Sequence, residues 1–222
     1  MTLACSRPFA VYLLQRVESG KMDGGIPSVR LEFTPDGILA AYQYGLFPMY
    51  HEAENEILWF LPERRAIMPL NGFHTSRSLQ KRLRRRDFDI TFNQKFTDVM
   101  RCCADRPEGS WISDEFVQVY SQLHQMGFAH SVEVNINERL VGGAYGVALG
   151  GAFMAESMFH RETDASKIAL YFLVERLRVR GFQLMDVQYL TDHLHSLGVI
   201  EVSRQQYQMD LQAALRHRCT FA

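Results

Sequence analysis

The chain has 222 residues, 47% of them hydrophobic, and a formal net charge of −1. That length and apolar content can bury a core in one domain or two small ones and exclude a disordered tail. A charge this close to zero excludes a uniformly basic nucleic-acid binder, so a polyanion surface has to be a local cluster.

Four cysteines, Cys5, Cys102, Cys103 and Cys219, contain no CxxC spacing. They support neither a disulfide framework nor a zinc site, and they fit a reduced, cytoplasmic setting. The apolar stretch from Phe9 to Leu14 is too short for a membrane span and lacks a basic start and an Ala-x-Ala cleavage site, so a soluble, unprocessed protein is expected. Residues 1–33 form an unassigned head, interrupted by Gly20 to Pro27.

Thr34-Pro-Asp-Gly opens a helix with Thr34 as N-cap and proline in its first position, and Gly45 and Pro48 end it. Strands are expected at 56–60, 65–69 and 88–92. The helix from Ser76 to Arg86 carries Arg77, Lys81, Arg82, Arg84, Arg85 and Arg86 with no acid among them, and docks by Leu79 and Leu83. A charge run is usually a solvated face; six cations this dense point instead to phosphate contacts. Helices at 96–104 and 113–126 follow, the second with Phe116, Tyr120 and Leu123 on one face until Gly127 stops it.

From Ala129 the pattern changes to strands, with a turn at Asn137-Glu138, strands over 140–149 and 152–159 joined by Gly150-Gly151, and a long helix through Ile168, Leu173 and Leu177 ending at Gly181. A strand over 183–188 and a short helix over 191–197 close this part. Strand period two puts Met154, Glu156 and Met158 on one face, and Asp186 with Gln188 on one face. Buried carboxylates and amides in apolar strands are costly unless partnered; together these residues mark a site. Glu156 has a structural alternative, an ion pair with Lys167. Periodicity alone gives α+β.

The residues Ala41 to Pro48, Leu58 to Arg65, Phe73 to Leu79, Trp111-Ile112, Ala129 to Glu133, Leu140 to Gly143, Glu156-Ser-Met-Phe159, Ala165-Ser-Lys167, Asp186-Val-Gln188 and Ser196-Leu-Gly198 occur in one fixed order. In these segments the chain resembles the leucyl/phenylalanyl-tRNA–protein transferase family. The resemblance implies an N-terminal α/β subdomain over 34–110 and an acyltransferase-like, GNAT-type domain over 111–222 with a mainly antiparallel sheet. It also implies transfer of Leu or Phe, extending to Met, from charged tRNA to N-terminal Arg or Lys of proteins, marking them for N-degron degradation. No cofactor, metal or membrane is implied.

The resemblance assigns catalysis to Asp186 and Gln188, with Glu156 binding the acceptor or shaping the same network. The aminoacyl pocket would be lined by Phe153, Met158, Leu170, Leu173 and Met185, residues that pattern alone would leave in the core. The tRNA 3′ end would stack on Trp111 and near Met49 and Tyr50; Met49 departs from the family's aromatic. The tRNA backbone would meet the basic helix. Two alternatives are an acyl-CoA-dependent N-acetyltransferase, disfavoured by the lack of a Q/R-x-x-G-x-G loop, and a noncatalytic tRNA-binding adaptor.

Overall fold

A computed structural model describes residues 32–51, 56–107 and 110–222; of the head expected at 1–33, residues 1–31 lie outside them. Helix α1 (Pro35–Gln43) starts as expected, the Thr34 hydroxyl accepting the Gly37 N–H at 3.2 Å. It is followed by a two-stranded antiparallel ribbon, β1 (Phe47–His51) and β2 (Glu56–Phe60). Strand β3 (Arg64–Ile67), helix α2 (Arg77–Arg85), strand β4 (Asp89–Phe92) and helices α3 (Phe96–Ala104) and α4 (Asp114–Gln125) come next. Then come β5 (Ala129–Ile136), β6 (Arg139–Leu149), β7 (Ala152–His160), α5 (Ala165–Val179), β8 (Leu184–Gln188), α6 (Asp192–Ser196), β9 (Ile200–Ser203) and α7 (Arg204–Ala214).

Seven strands form one sheet in the order β4-β5-β6-β7-β8-β3-β9, every neighbouring pair antiparallel except β7 and β8, which α5 connects. The fold is α+β with a mainly antiparallel sheet. The division expected after residue 110 falls inside this sheet, since β3 and β4 hydrogen-bond with later strands. The β1–β2 ribbon before it forms a separate two-stranded sheet.

Both faces of the sheet are covered. One core joins α1, α3, α4, α7 and the ribbon around Tyr42, Trp59, Tyr120, Met154 and Tyr207. The other lies under α5 and takes in Phe153, Leu173, Met185, Leu79 from α2 and Phe221. Strand β5 is therefore buried on both sides, and its Glu133 is satisfied by the hydroxyls of Ser131 at 2.5 Å and Thr91 at 2.6 Å. Gly198, at φ +100°, lets the chain before α2 dock on α6: a Cβ there would stand 2.1 Å from the Gly72 carbonyl oxygen. No helix among the described residues is long and apolar enough to cross a membrane.

Two irregularities shape the middle of the sheet. Along β6 and β7, Tyr145 faces Ser157 while Gly146 faces Ala155, so Glu156 is an extra residue in a β-bulge. Along β3 and β8, Ala66 faces Gln188 and Ile67 faces Asp186, leaving Val187 as a second bulge. The first bulge corrects the expected face: Met154 belongs to one core and Met158 packs against the other, because the inserted residue inverts the alternation. The parallel pairing of β7 with β8 ends at Met154 and Asp186.

Candidate active site

Beyond that last pair the two strands part, and the gap is a cleft of about 300 Å³ between 155–158 on β7 and 187–189 at the end of β8. Met49, Trp111, Leu170 and Leu194 close its remaining sides. A second, larger cavity of about 930 Å³ adjoins it, sharing Arg106 and Met158, and carries the acids Asp105, Glu162 and Asp164 beside the cations Arg106, Arg161 and Lys167.

Glu156 enters the cleft from its bulge, and its carboxylate is gripped from the opposite side by two helices. The Tyr42 hydroxyl of α1 donates to Oε1, the Tyr120 hydroxyl of α4 donates to Oε2 at 3.4 Å, and the two phenols lie 2.9 Å apart. Burial pushes the Glu156 carboxyl up to about 8, against the opposing pull of the Tyr42 hydrogen bond. A carboxyl titrating there can hold or release a proton near neutral pH. Lys167 is not its partner, since its ammonium is bound to Asp164 at 2.8 Å.

Asp186 and Gln188 do not present their side chains together, as strand alternation suggested. Asp186 has no exposed surface. Arg65 binds it with both arms of its fork, Nε at 2.8 Å and Nη2 at 2.6 Å, and the Tyr207 hydroxyl donates to it at 2.9 Å. Burial pulls the Arg65 guanidinium down, but Asp186 beside it outweighs that and holds it well above its ordinary value. The Arg65 fork lies between the Phe47 and Tyr207 rings, 4.4 and 4.6 Å from their centres. Gln188 has φ +60°, outside strand geometry, and lines the cleft with its amide nitrogen buried and without a hydrogen-bond partner.

Of the five residues expected to line an aminoacyl pocket, Met158 and Leu170 do so; Phe153, Leu173 and Met185 are fully buried in the core under α5, where Phe153 stacks on Phe221 at 5.5 Å. Position along the sheet is the reason for the strand residues: Phe153 and Met185 still face each other within the parallel ladder, whereas Met158 lies past the point where the strands part. Of the three residues expected at the tRNA 3′ end, Trp111 and Met49 line the cleft and Tyr50 does not; Trp111 packs edge-on against Phe116 at 5.2 Å. The basic helix forms as expected, anchored by the fully buried Leu79 and capped by Ser76. Its cations are less uncompensated than the run suggested: Asp87, just past its end, pairs with Arg82 and with Arg85 at 3.1 Å. Arg77, Lys81, Arg84 and Arg86 stand exposed. No cluster that could hold a metal occurs among the described residues.

Sequence reasoning left Tyr42, Tyr120, Arg65, Tyr207 and Tyr189 without a role. Tyr42 and Arg65 lie inside segments that carried the family resemblance, which was the one signal pointing to them. Tyr189, 38% exposed, stands edge-on to Phe47 at 5.6 Å on the cleft rim.

A mainly antiparallel sheet whose parallel pair opens around an acid and an amide belongs to the acyltransferase-like class of α+β folds. The family model described as leucyl/phenylalanyl-tRNA protein transferase matches residues 67–212, and the model of that family's N-terminal domain matches 32–63. The transferase of this description from Cereibacter sphaeroides is 51% identical over 190 residues, 85% of this chain and 88% of that one; the one from Roseobacter denitrificans is 51% identical over 192 residues, 86% and 91% respectively. The chain belongs to the leucyl/phenylalanyl-tRNA–protein transferase family and is an enzyme. Among solved structures, FemX is similar with a TM-score of 0.49 and 13% identity, over 78% of this chain and 70% of that one.

Proposed function

We propose that the enzyme transfers Leu or Phe, extending to Met, from charged tRNA to the N-terminal Arg or Lys of acceptor proteins, marking them for degradation. The observation that carries this reading is the cleft itself: apolar walls beside two polar groups, the Gln188 amide with an unpartnered buried nitrogen and the Glu156 carboxyl titrating at about 8. The ester on the tRNA is already activated, so the protein need only align the reactants, move a proton and stabilise the oxyanion.

In this reading Met49, Met158, Leu170 and Leu194 enclose the aminoacyl side chain, and methionines adapt to both a branched aliphatic and a ring. Trp111 and Tyr189 offer flat faces to the terminal nucleotides. The acceptor amine attacks the ester carbon and a C–N bond forms. The Gln188 amide nitrogen donates to the carbonyl oxygen as it becomes the oxyanion. Glu156 takes the proton that the amine loses and returns it to the ribose oxygen as the C–O bond breaks, leaving no net proton. The acceptor's cationic first side chain is assigned to the adjoining cavity, toward Asp105 and Glu162, which stand there beside Arg106 and Arg161; Glu156 is reserved for the proton, and Asp186 is bound to Arg65 and Tyr207. The exposed cations of α2 are assigned to tRNA phosphates. We place the reaction in the cytoplasm, where Cys102, Cys103 and Cys219 remain free thiols.

The test is transfer of labelled leucine from charged tRNA to short peptides differing only in their first residue, with acetyl-CoA as competing donor. Label on Arg- and Lys-peptides alone supports the proposal; acetylation without aminoacyl transfer sinks it.

A further inference from the structure

We infer that Arg65 and Tyr207 are positioning residues for the transfer: acting through Asp186, they hold the left-handed turn that carries the Gln188 amide into the cleft. The inference rests on the aminoacyl-transfer reading of that cleft.

The geometry leaves Asp186 no other task. A carboxylate has about four sites for accepting hydrogen bonds. Here Oδ1 accepts the Arg65 Nε at 2.8 Å and the Gln188 backbone N–H at 2.9 Å, while Oδ2 accepts the Arg65 Nη2 at 2.6 Å and the Tyr207 hydroxyl at 2.9 Å. With every site filled, Asp186 has no free lone pair with which to meet an incoming amine. It acts on the cleft through the bond to Gln188.

That bond has a structural consequence. A non-glycine residue at φ +60° is strained, and such strain persists only where neighbours over-determine it. An aspartate that accepts the N–H two residues onward stabilises this kind of turn. The turn ends β8 and brings the Gln188 side chain to the cleft wall, where its nitrogen has no protein partner. Arg65 and Tyr207 fix the aspartate from β3 and α7. The Arg65 fork is in turn immobilised between Phe47 and Tyr207, and Phe47 is itself part of the cleft wall.

Two neutral replacements of the buried pair separate positioning from simple stabilisation. Removing one charge alone would strand the other, whereas replacing both leaves no buried charge unpaired. The double variant Arg65→Met with Asp186→Leu removes the acceptor of the Gln188 N–H. The double variant Arg65→Gln with Asp186→Asn keeps a carbonyl oxygen there. Melting temperature, KM for leucyl-tRNA and single-turnover rate are measured for both, with Tyr207→Phe as a milder probe and an Arg-peptide as acceptor.

The expected result is an unchanged KM in all three variants. The apolar pair should lose about 10²-fold in kcat, as for a small misplacement of a reacting group. The amide pair should recover at least tenfold of that loss at equal melting temperature, and Tyr207→Phe should lie between it and wild type. If rate follows melting temperature across the variants, or if the folded apolar pair turns over like wild type, the inference is overturned. Should neither double variant fold, a wild-type rate in Tyr207→Phe overturns it and a lowered rate at unchanged KM supports it. A wild-type protein that transfers nothing removes the aminoacyl-transfer reading together with this inference, whereas wild-type transfer with an indifferent Asp186 site removes the inference alone.

Discussion

Tyr42 donates its hydroxyl hydrogen bond to Glu156 across 114 residues of sequence, joining the first described helix to a bulge in the central sheet. This contact sets the only cleft-facing carboxyl of the 300 Å³ opening among the described residues. Glu156→Gln should lower kcat by about 10²- to 10⁴-fold, the usual worth of a proton-transferring group, with little change in KM for charged tRNA. Tyr42→Phe removes a bond that pulls the Glu156 carboxyl down, so the rise of kcat with pH should move above its wild-type position near pH 8. A pH–rate profile of the two variants checks both statements.

Stability should carry the same signature. The Glu156 carboxyl titrates at about 8 in the fold against 4.5 in the open chain, so its contribution is fully present below pH 4.5 and is lost as pH rises through 8. Melting curves should therefore show a component of stability that declines between pH 5 and pH 9 in wild type and is missing in Glu156→Gln. Identical pH dependence in the two proteins would rule out the perturbed carboxyl.

Donor choice follows from the shape of the walls. Met49, Met158 and Leu170 can bend around a side chain unbranched at Cβ, while a β-branched donor crowds the entrance. Leucyl-, phenylalanyl- and methionyl-tRNA should be used, and isoleucyl- and valyl-tRNA should lose about 1–3 kcal/mol in kcat/KM. Equal kcat/KM for leucyl and isoleucyl donors contradicts this.

The basic helix should act on tRNA affinity alone. Lys81→Glu with Arg84→Glu reverses two cations outside the Asp87 pairs. It should raise KM for charged tRNA and reduce the slope of log K against log salt by about two, one for each phosphate that is no longer neutralised. A minimal aminoacyl-adenosine donor should be indifferent, and a wild-type salt slope in the variant would make the helix a solvated face.

The long periodic elements were legible because burial imposes their spacing. The turn at Asn137 and Glu138, both at positive φ, and the Thr34 cap follow from local chemistry and appear as expected. β9 escaped because it is a four-residue edge strand with Ile200 47% exposed, and α7 because its outward face is largely polar although Tyr207, Leu211 and Ala214 keep helical spacing. The site was half legible. Residue types named Glu156, Asp186 and Gln188, but strand alternation cannot reveal a bulge, and two bulges decide which of them faces the cleft. Arg65 and Tyr207 become visible only when β3 and α7 are folded against β8.

Gln188 is where the proposed chemistry is most open to test. Its amide nitrogen is the donor assigned to the oxyanion, so Gln188→Glu, which keeps an acceptor and removes the donor, should fail as badly as Gln188→Ala. The measurement is single-turnover transfer of leucine from saturating charged tRNA to an Arg-peptide, with folding verified by melting. A loss of about 10²- to 10³-fold is expected in both variants at unchanged tRNA affinity. A folded Gln188→Glu enzyme with wild-type turnover would contradict the oxyanion role.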